Sequence, residues 1–329
     1  MFGREFNSLN KEGKKVGILG VPFSKGNGKT GAEQAPTAIL EHGLLKSLTN
    51  FDANPNLDVE DFGEVKFSSK KLKRPVSDIK NYAEFIGCIE RVSKRVHSII
   101  EEGRLCITIG GDHSIAAGTV DGHARAKDGN IAILWIDAHA DINTPKTSHT
   151  GHPHGMPLSF VVKELRDHWS EYPEIEWRTP IVPARNIAYI GLRSVDDYER
   201  LIIDRLGITA FGMDEVDDLG IPEIMRRALK VIDPEQNRSI HLSFDIDGLD
   251  PLEAPATGTP VRGGITLREG IQIVETVYKT GRLGAFDLCE VNPQMGREED
   301  VRKTLQAATD LIKAATGHRR SGRTAKIPT

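Results

Sequence analysis

Only three cysteines occur in 329 residues, Cys88, Cys106 and Cys289. Each sits within an apolar stretch and none has C-x-x-C spacing, which argues against a disulfide framework and a thiolate metal site and leaves buried thiols in a reducing compartment. Charge of one sign is not in excess either: 43 Lys+Arg against 47 Asp+Glu give a formal charge of -4 and a pI near 6.3. No global basic field exists to hold nucleic acid or an anionic membrane. A run of about 18 apolar residues is also missing, so no membrane span is expected. The stretch MFGREFNSLNKEGKK lacks an apolar h-region and carries Glu5 and Glu12, unlike a targeting peptide. Cytoplasmic location is the resulting expectation. With no long Pro/Ser/Gly linker and no fixed-period repeat, one domain is expected over 1–329, with an N-terminal extension at 1–14 and a basic tail at 317–329.

What is present is an alternation. Short β-rich apolar runs near Val16–Val21, Leu57–Phe62, Leu105–Ile109, Ile131–Ile136, Ile187–Ile190, Thr209–Phe211, Ile240–Phe244 and Leu283–Leu288 read as strands. Between the second and third, Phe85, Cys88, Ile89, Val92, Val96, Ile99 and Ile100 recur at helical steps, with Gly103 as a stop. Further helices are expected at Ala35–Leu48, Asp196–Leu206, Pro222–Ile232, Leu267–Lys279 and Glu298–Ala315. The pattern predicts a single three-layer α/β domain, a mainly parallel eight-stranded sheet with helices on both faces.

Histidine is clustered: six of 11 fall between His113 and His154. Three predicted strands end in polar motifs, Gly110-Gly111-Asp112-His113, Asp137-Ala138-His139-Ala140-Asp141 and Asp245-Ile246-Asp247. In open α/β sheets functional groups gather beyond the carboxyl ends of strands. Alternate residues of an extended chain point the same way, so Asp137 pairs with His139 and Asp245 with Asp247, while Asp141 joins them if the chain curls. Two imidazoles and four carboxylates exceed the needs of one tetrahedral ion and suit two divalent ions, Mn²⁺ before Zn²⁺ because the set is oxygen-rich and thiolate-free. Taken singly, each motif reads equally well as a helix cap or a satisfied core histidine.

The motifs GGDHS (Gly110–Ser114), DAHADINTP (Asp137–Pro145), SFDIDGLDP (Ser243–Pro251), ATGTPVRGG (Ala256–Gly264) and EVNPQ (Glu290–Gln294) together resemble the arginase, or ureohydrolase, family. The likeness runs from about Val16 to the last helix. It implies an eight-stranded arginase/deacetylase-like fold and two Mn²⁺ per subunit, one held by His113, Asp137, Asp141 and Asp245, the other by Asp137, His139, Asp245 and Asp247, with Asp137 and Asp245 bridging. The implied activity is hydrolysis of the L-arginine guanidinium to L-ornithine and urea by a dimanganese-bridging hydroxide. Glu290 would pair with the guanidinium, supported by the Thr259 hydroxyl; Asp141 would carry a proton to the leaving nitrogen and His154 would shuttle protons. Asn143 and Thr150 resemble contacts to the α-carboxylate, Asp196 a direct partner of the α-amino group and Glu199 a water-mediated one. The family also implies a homotrimer, with Arg268, Glu269 and Arg320 in intersubunit ion pairs.

Three positions depart from the family's frequent residues: Thr150 stands for serine, Ser194 for aspartate and Lys29 for arginine. Gly28-Lys29-Thr30 has the ending of a phosphate-binding loop, but Phe23 stands where its first glycine is required, so the segment reads as part of the substrate entrance. The alternatives are agmatinase or another guanidino-substrate ureohydrolase, a one-metal deacetylase-like enzyme, and a non-catalytic regulatory member. The intact ligand set speaks against the last.

Overall fold

In a computed structural model, which describes residues 14–49, 57–178 and 181–320, strands and helices alternate from end to end. The strands are β1 (Lys15–Val21), β2 (Asp58–Glu64), β3 (Leu105–Gly110), β4 (Ile131–Ile136), β5 (Ile187–Leu192), β6 (Thr209–Gly212), β7 (Ser239–Asp245) and β8 (Leu283–Cys289). The α-helices are α1 (Ala35–Glu41), α2 (Leu44–Leu48), α3 (Tyr82–Glu101), α4 (Ala116–Ala126), α5 (Pro157–Val161), α6 (Asp197–Leu206), α7 (Met213–Ile232), α8 (Leu267–Lys279) and α9 (Glu298–Ala315). All eight strands form one sheet of order β2-β1-β3-β8-β7-β4-β5-β6, every neighbouring pair parallel.

Parallel neighbours need crossovers, which carry helices over both faces. One face buries Ile39, Ile224, Val274 and Leu311 from α1, α7, α8 and α9; the other buries Val92, Val120 and Phe160 from α3, α4 and α5. Covered twice, β3 and β4 are buried at every position, which is why they read as unbroken apolar runs.

Local signals explain the boundaries. The apolar stripe of α3 stops before Gly103, whose φ of 76° is left-handed. Asp196 and Glu199 form a capping box that starts α6. Two expectations need correction. The segment 35–48 is two helices, because Gly43 sits at φ 95° between them. The helix expected from Pro222 begins nine residues earlier, at Met213, with a break at Gly220 (φ 69°, ψ 157°) that places Pro222 in the opening turn of the second part. The extension at 1–14 and the tail at 317–329 lie outside the described residues, save for Lys14 and 317–320.

Helix α4 is absent from the sequence reading, since AAGTVDGHARA has little apolar period. Its small residues serve proximity instead: a Cβ on Gly122 would lie 2.4 Å from the Ser93 carbonyl oxygen of α3. Most important for function, β3, β8, β7 and β4 are consecutive in the sheet, so the polar motifs at their carboxyl ends meet.

Gly122→Ala tests this packing. Alanine's helix propensity is worth about 1 kcal/mol, but the clash with backbone costs about 1–3 kcal/mol. Urea unfolding of the metal-free protein is expected to show net destabilisation; a gain would mean that α3 and α4 separate freely.

Candidate metal centre

His113 follows β3, and its Nδ1 lies 3.1 Å from Asp137 Oδ2, 3.3 Å from Asp141 Oδ2 and 3.1 Å from Asp245 Oδ2. These four buried side chains bring ligand atoms within 4.8 Å of one another, and Asp137, His139 and Asp247 form a second such group. His139 Nδ1 is 3.4 Å from Asp137 Oδ1 and 3.3 Å from Asp247 Oδ2. Asp137 therefore belongs to both groups. Asp245, expected to bridge as well, belongs to the first group, and its Oδ1 accepts the Asp247 N–H at 2.8 Å. Asp141 reaches inward from a left-handed backbone (φ 50°), an uncommon conformation held by the surrounding structure.

The electrostatics of this cluster require positive charge. Burial, then repulsion from Asp247 and Asp137, pushes the Asp245 carboxyl well above the usual carboxylate range. Burial and Asp137 raise Asp141 to about 6, and Asp247 rises for the same reasons. Burial also opposes the charge on Asp137, but hydrogen bonds from His113 and His139 prevail and hold it low. For His139 burial is outweighed by Asp137 and Asp247, which push the imidazole to about 12. Four carboxylates so placed cannot all ionise unless cations join them. An oxygen-rich set with two imidazoles fits divalent ions.

Glu290, also left-handed (φ 63°), ends β8 above the cluster. Its Oε1 accepts the His113 backbone N–H at 3.0 Å and lies 3.2 Å from His154 Nδ1, and its Oε2 accepts the Asn27 amide at 3.1 Å. Burial opposes its charge, yet the His154 contacts win and keep it ionised. His154 is pushed up to about 9, since Glu290 outweighs burial. The expectation that Thr259 supports Glu290 is not met: Thr257 bridges Val291, and two residues later the chain has turned so that the Thr259 hydroxyl donates to Asp247 Oδ2 at 2.9 Å.

Further out, the Asn143 amide donates to Asp196 Oδ2 at 2.7 Å while its oxygen accepts from Thr147, also at 2.7 Å. Asp196 thus caps α6 and faces Asn143 at once. Its capping partner Glu199 is buried and also accepts the Ile142 N–H at 3.3 Å. Thr150 is exposed, its hydroxyl accepting from His152 N at 3.1 Å, and the Lys29 ammonium donates to the Gly258 carbonyl. The assembly residues lie elsewhere. Arg268 is exposed on α8, Glu269 closes the α8 capping box with Thr266, and Arg320 pairs within the chain with Glu275 at 3.3 Å.

Several contributors escaped the sequence reading. Trp135 donates its indole N–H to Asp137 Oδ2 at 2.9 Å and stacks on His113 at 4.2 Å. Arg193 donates to the carbonyls of Gly191, Asp247, Gly248, Leu249 and Val261, fixing the loop that carries Asp247. Strand alternation was a usable signal for Trp135, two residues before Asp137; Asn27 and Arg193 had none.

Comparison with known proteins gives the same answer. The family model "Arginase family" matches residues 14–317. The chain belongs to the arginase family. "Arginase-1" of Sus scrofa is 44% identical over 95% of this chain and 96% of its own. The arginase of Bacillus caldovelox superposes with a TM-score of 0.82 at 31% identity, over 94% of this chain and 100% of that one. The Entamoeba histolytica arginase solved in complex with L-ornithine gives 0.77 at 28%, over 93% and 99%. A binuclear metal site is what membership of the arginase family implies for this buried His/Asp cluster.

The two ligand groups predict distinct stoichiometries. His139→Ala should lose one of two bound divalent ions, whereas Asp137→Asn, shared by both groups, should lose both; elemental analysis after Mn²⁺ loading reads this. Wild-type metal content in either variant contradicts the assignment. In the parent, each ion at a hundredfold excess over Kd should add about 2.7 kcal/mol of stability, reversed by chelation.

Proposed function

We propose that the protein is an arginase that hydrolyses L-arginine to L-ornithine and urea, with two Mn²⁺ held by His113, Asp137, His139, Asp141, Asp245 and Asp247. The observation that carries this reading is Glu290, a buried anion beside the ligand groups whose two oxygens are aimed by Asn27, His113 and His154. Relatives named arginase along nearly the whole chain support it, and one of them holds L-ornithine.

Bound divalent ions supply the Lewis acidity that activates water at neutral pH. The chain's own residues do the rest. A carboxylate and a guanidinium make a two-point contact, so Glu290 fixes the plane of the substrate and turns its central carbon toward the metal groups. Breaking the bond to the substrate Nε leaves an amine, which needs a proton. Asp141, within the ligand group beside His113, carries that proton, and half-buried His154 exchanges protons between the pocket and solvent.

Substrate length and end groups are read by the outer residues. Asn143 and Thr150 receive the α-carboxylate, Asp196 the α-amino group and Glu199 the same group through water. Asn143 is preorganised between Asp196 and Thr147, so agmatine, which lacks the carboxylate, leaves polar groups unpaired. Urea release by Mn²⁺-loaded protein is expected to be faster from L-arginine than from agmatine at equal concentration. Preference for agmatine would replace the substrate assignment. Glu290→Gln should lower kcat/KM by roughly a hundredfold or more.

The reading extends to a homotrimer joined through Arg268, Glu269 and Arg320, and to the cytoplasm, where three free buried thiols stay reduced. Support for the trimer is the exposed, charged start of α8. Sedimentation should find trimers at low salt and a shift to smaller species at about 1 M, where exposed pairs are screened. Monomers throughout would remove this part.

A further inference from the structure

Three buried titratable side chains take no part in the chemistry above: His123 on α4, His241 on β7 and Asp287 on β8, all at 0% exposure. They lie along an unusual strand face. Alternate residues of β7 are Ser239, His241, Ser243 and Asp245, polar at each place, while Ile240, Leu242 and Phe244 fill the other face.

Hydrogen bonds follow this column. Ser239 Oγ lies 2.8 Å from His123 Nε2, His123 Nδ1 3.2 Å from His241 Nδ1, and His241 Nε2 2.8 Å from Asp287 Oδ2, which the Thr119 hydroxyl also reaches. At the other end Ser243 Oγ stands 2.9 Å from His113 Nε2.

The direction of each bond can be worked out. His113 presents Nδ1 to three carboxylates, so as a metal ligand it carries its proton on Nε2 and donates to Ser243. The Ser243 hydroxyl must then donate onward. Its register partner on β8 is Asp287, whose Oδ1 is buried with no hydrogen-bond partner among the described residues. Buried acceptors are normally satisfied, and here the open acceptor belongs to the register partner of a hydroxyl with a proton to place, so that one water between them would satisfy both. On the far side, His241 donates to Asp287 through Nε2, accepts from His123 at Nδ1, and His123 accepts from Ser239. Burial, then the neighbouring His241, holds His123 well below the usual imidazole range.

We propose that Asp287 is a positioning residue for metal binding: through Ser243 it holds His113 in the tautomer that leaves Nδ1 free for the ion. His241, His123 and Thr119 orient Asp287 for this task. The proposal rests on His113 being a metal ligand.

The test is a calorimetric titration of metal-free full-length protein with Mn²⁺, for the parent, Ser243→Ala, Asp287→Asn and the double variant. Metal-free melting and the visible spectrum with Co²⁺ are recorded alongside. Each single variant should weaken the site containing His113 by about 10–100-fold and alter its Co²⁺ spectrum. The double variant should be no weaker than the worse single one, because both act on one path. Single variants within about threefold of the parent, or losses that multiply in the double variant, overturn the proposal. Ser243→Ala leaves the bonds of Asp287 to His241 and Thr119 intact, so it decides alone if Asp287→Asn fails to fold. A parent that takes up no Mn²⁺ overturns the metal assignment together with this one; normal uptake with unchanged variants overturns this one only.

Discussion

Four aspartates and two histidines pressed together below the protein surface set the terms for the rest of the molecule. Burying one carboxylate is costly, and burying several side by side is costlier, unless positive charge compensates them. The rise of Asp141, Asp245 and Asp247 above the ordinary carboxylate range expresses that cost. The surroundings keep the cluster in place despite it. Trp135 bonds Asp137, Arg193 binds the loop beneath Asp247, and left-handed backbone at Asp141 and Glu290 turns side chains inward at two strand ends.

The same cluster explains why a cationic substrate suits a site built for cations. On the proposed reading two divalent ions would be matched by four aspartates, leaving Glu290 as the anion to meet a guanidinium. The His154 contacts keep it ionised against burial, whereas burial and then repulsion from Asp137 raise Asp141. Neighbouring carboxylates thus differ in role because they differ in partners. Asp196 is economical in another way: with Glu199 it caps α6 while it also accepts the Asn143 amide.

Much of the architecture was legible. All eight strands appear where the sequence reading placed them; β3 and β4, buried on both faces, tolerate little but apolar residues, whereas the edge strand β2 is mostly exposed. Helices with an apolar stripe were equally clear; α4 was not, because it uses small residues to approach α3 and so carries no stripe. Within the site the six candidate ligands stood out by their spacing at strand ends, and the structure gathers them into two groups that share Asp137. Thr259 was misjudged, as its hydroxyl reaches Asp247 and not Glu290, a choice between two nearby partners. Asn27 could not have been foreseen: it meets Glu290 across 263 positions of chain.

The amino-acid sequence by itself determined the elements, the kinds of chemical group at each strand end and the family, because periodicity, capping and short-range spacing act over a few residues. Tertiary structure alone decided that β8 and β7 enter between β3 and β4, which groups share Asp137, and how the polar face of β7 joins His113 to distant side chains. The physical reason is range. Local backbone preferences are written in neighbouring residues, but the pairing of buried charges depends on distances of a few ångströms between segments far apart in the chain, and packing sets those distances.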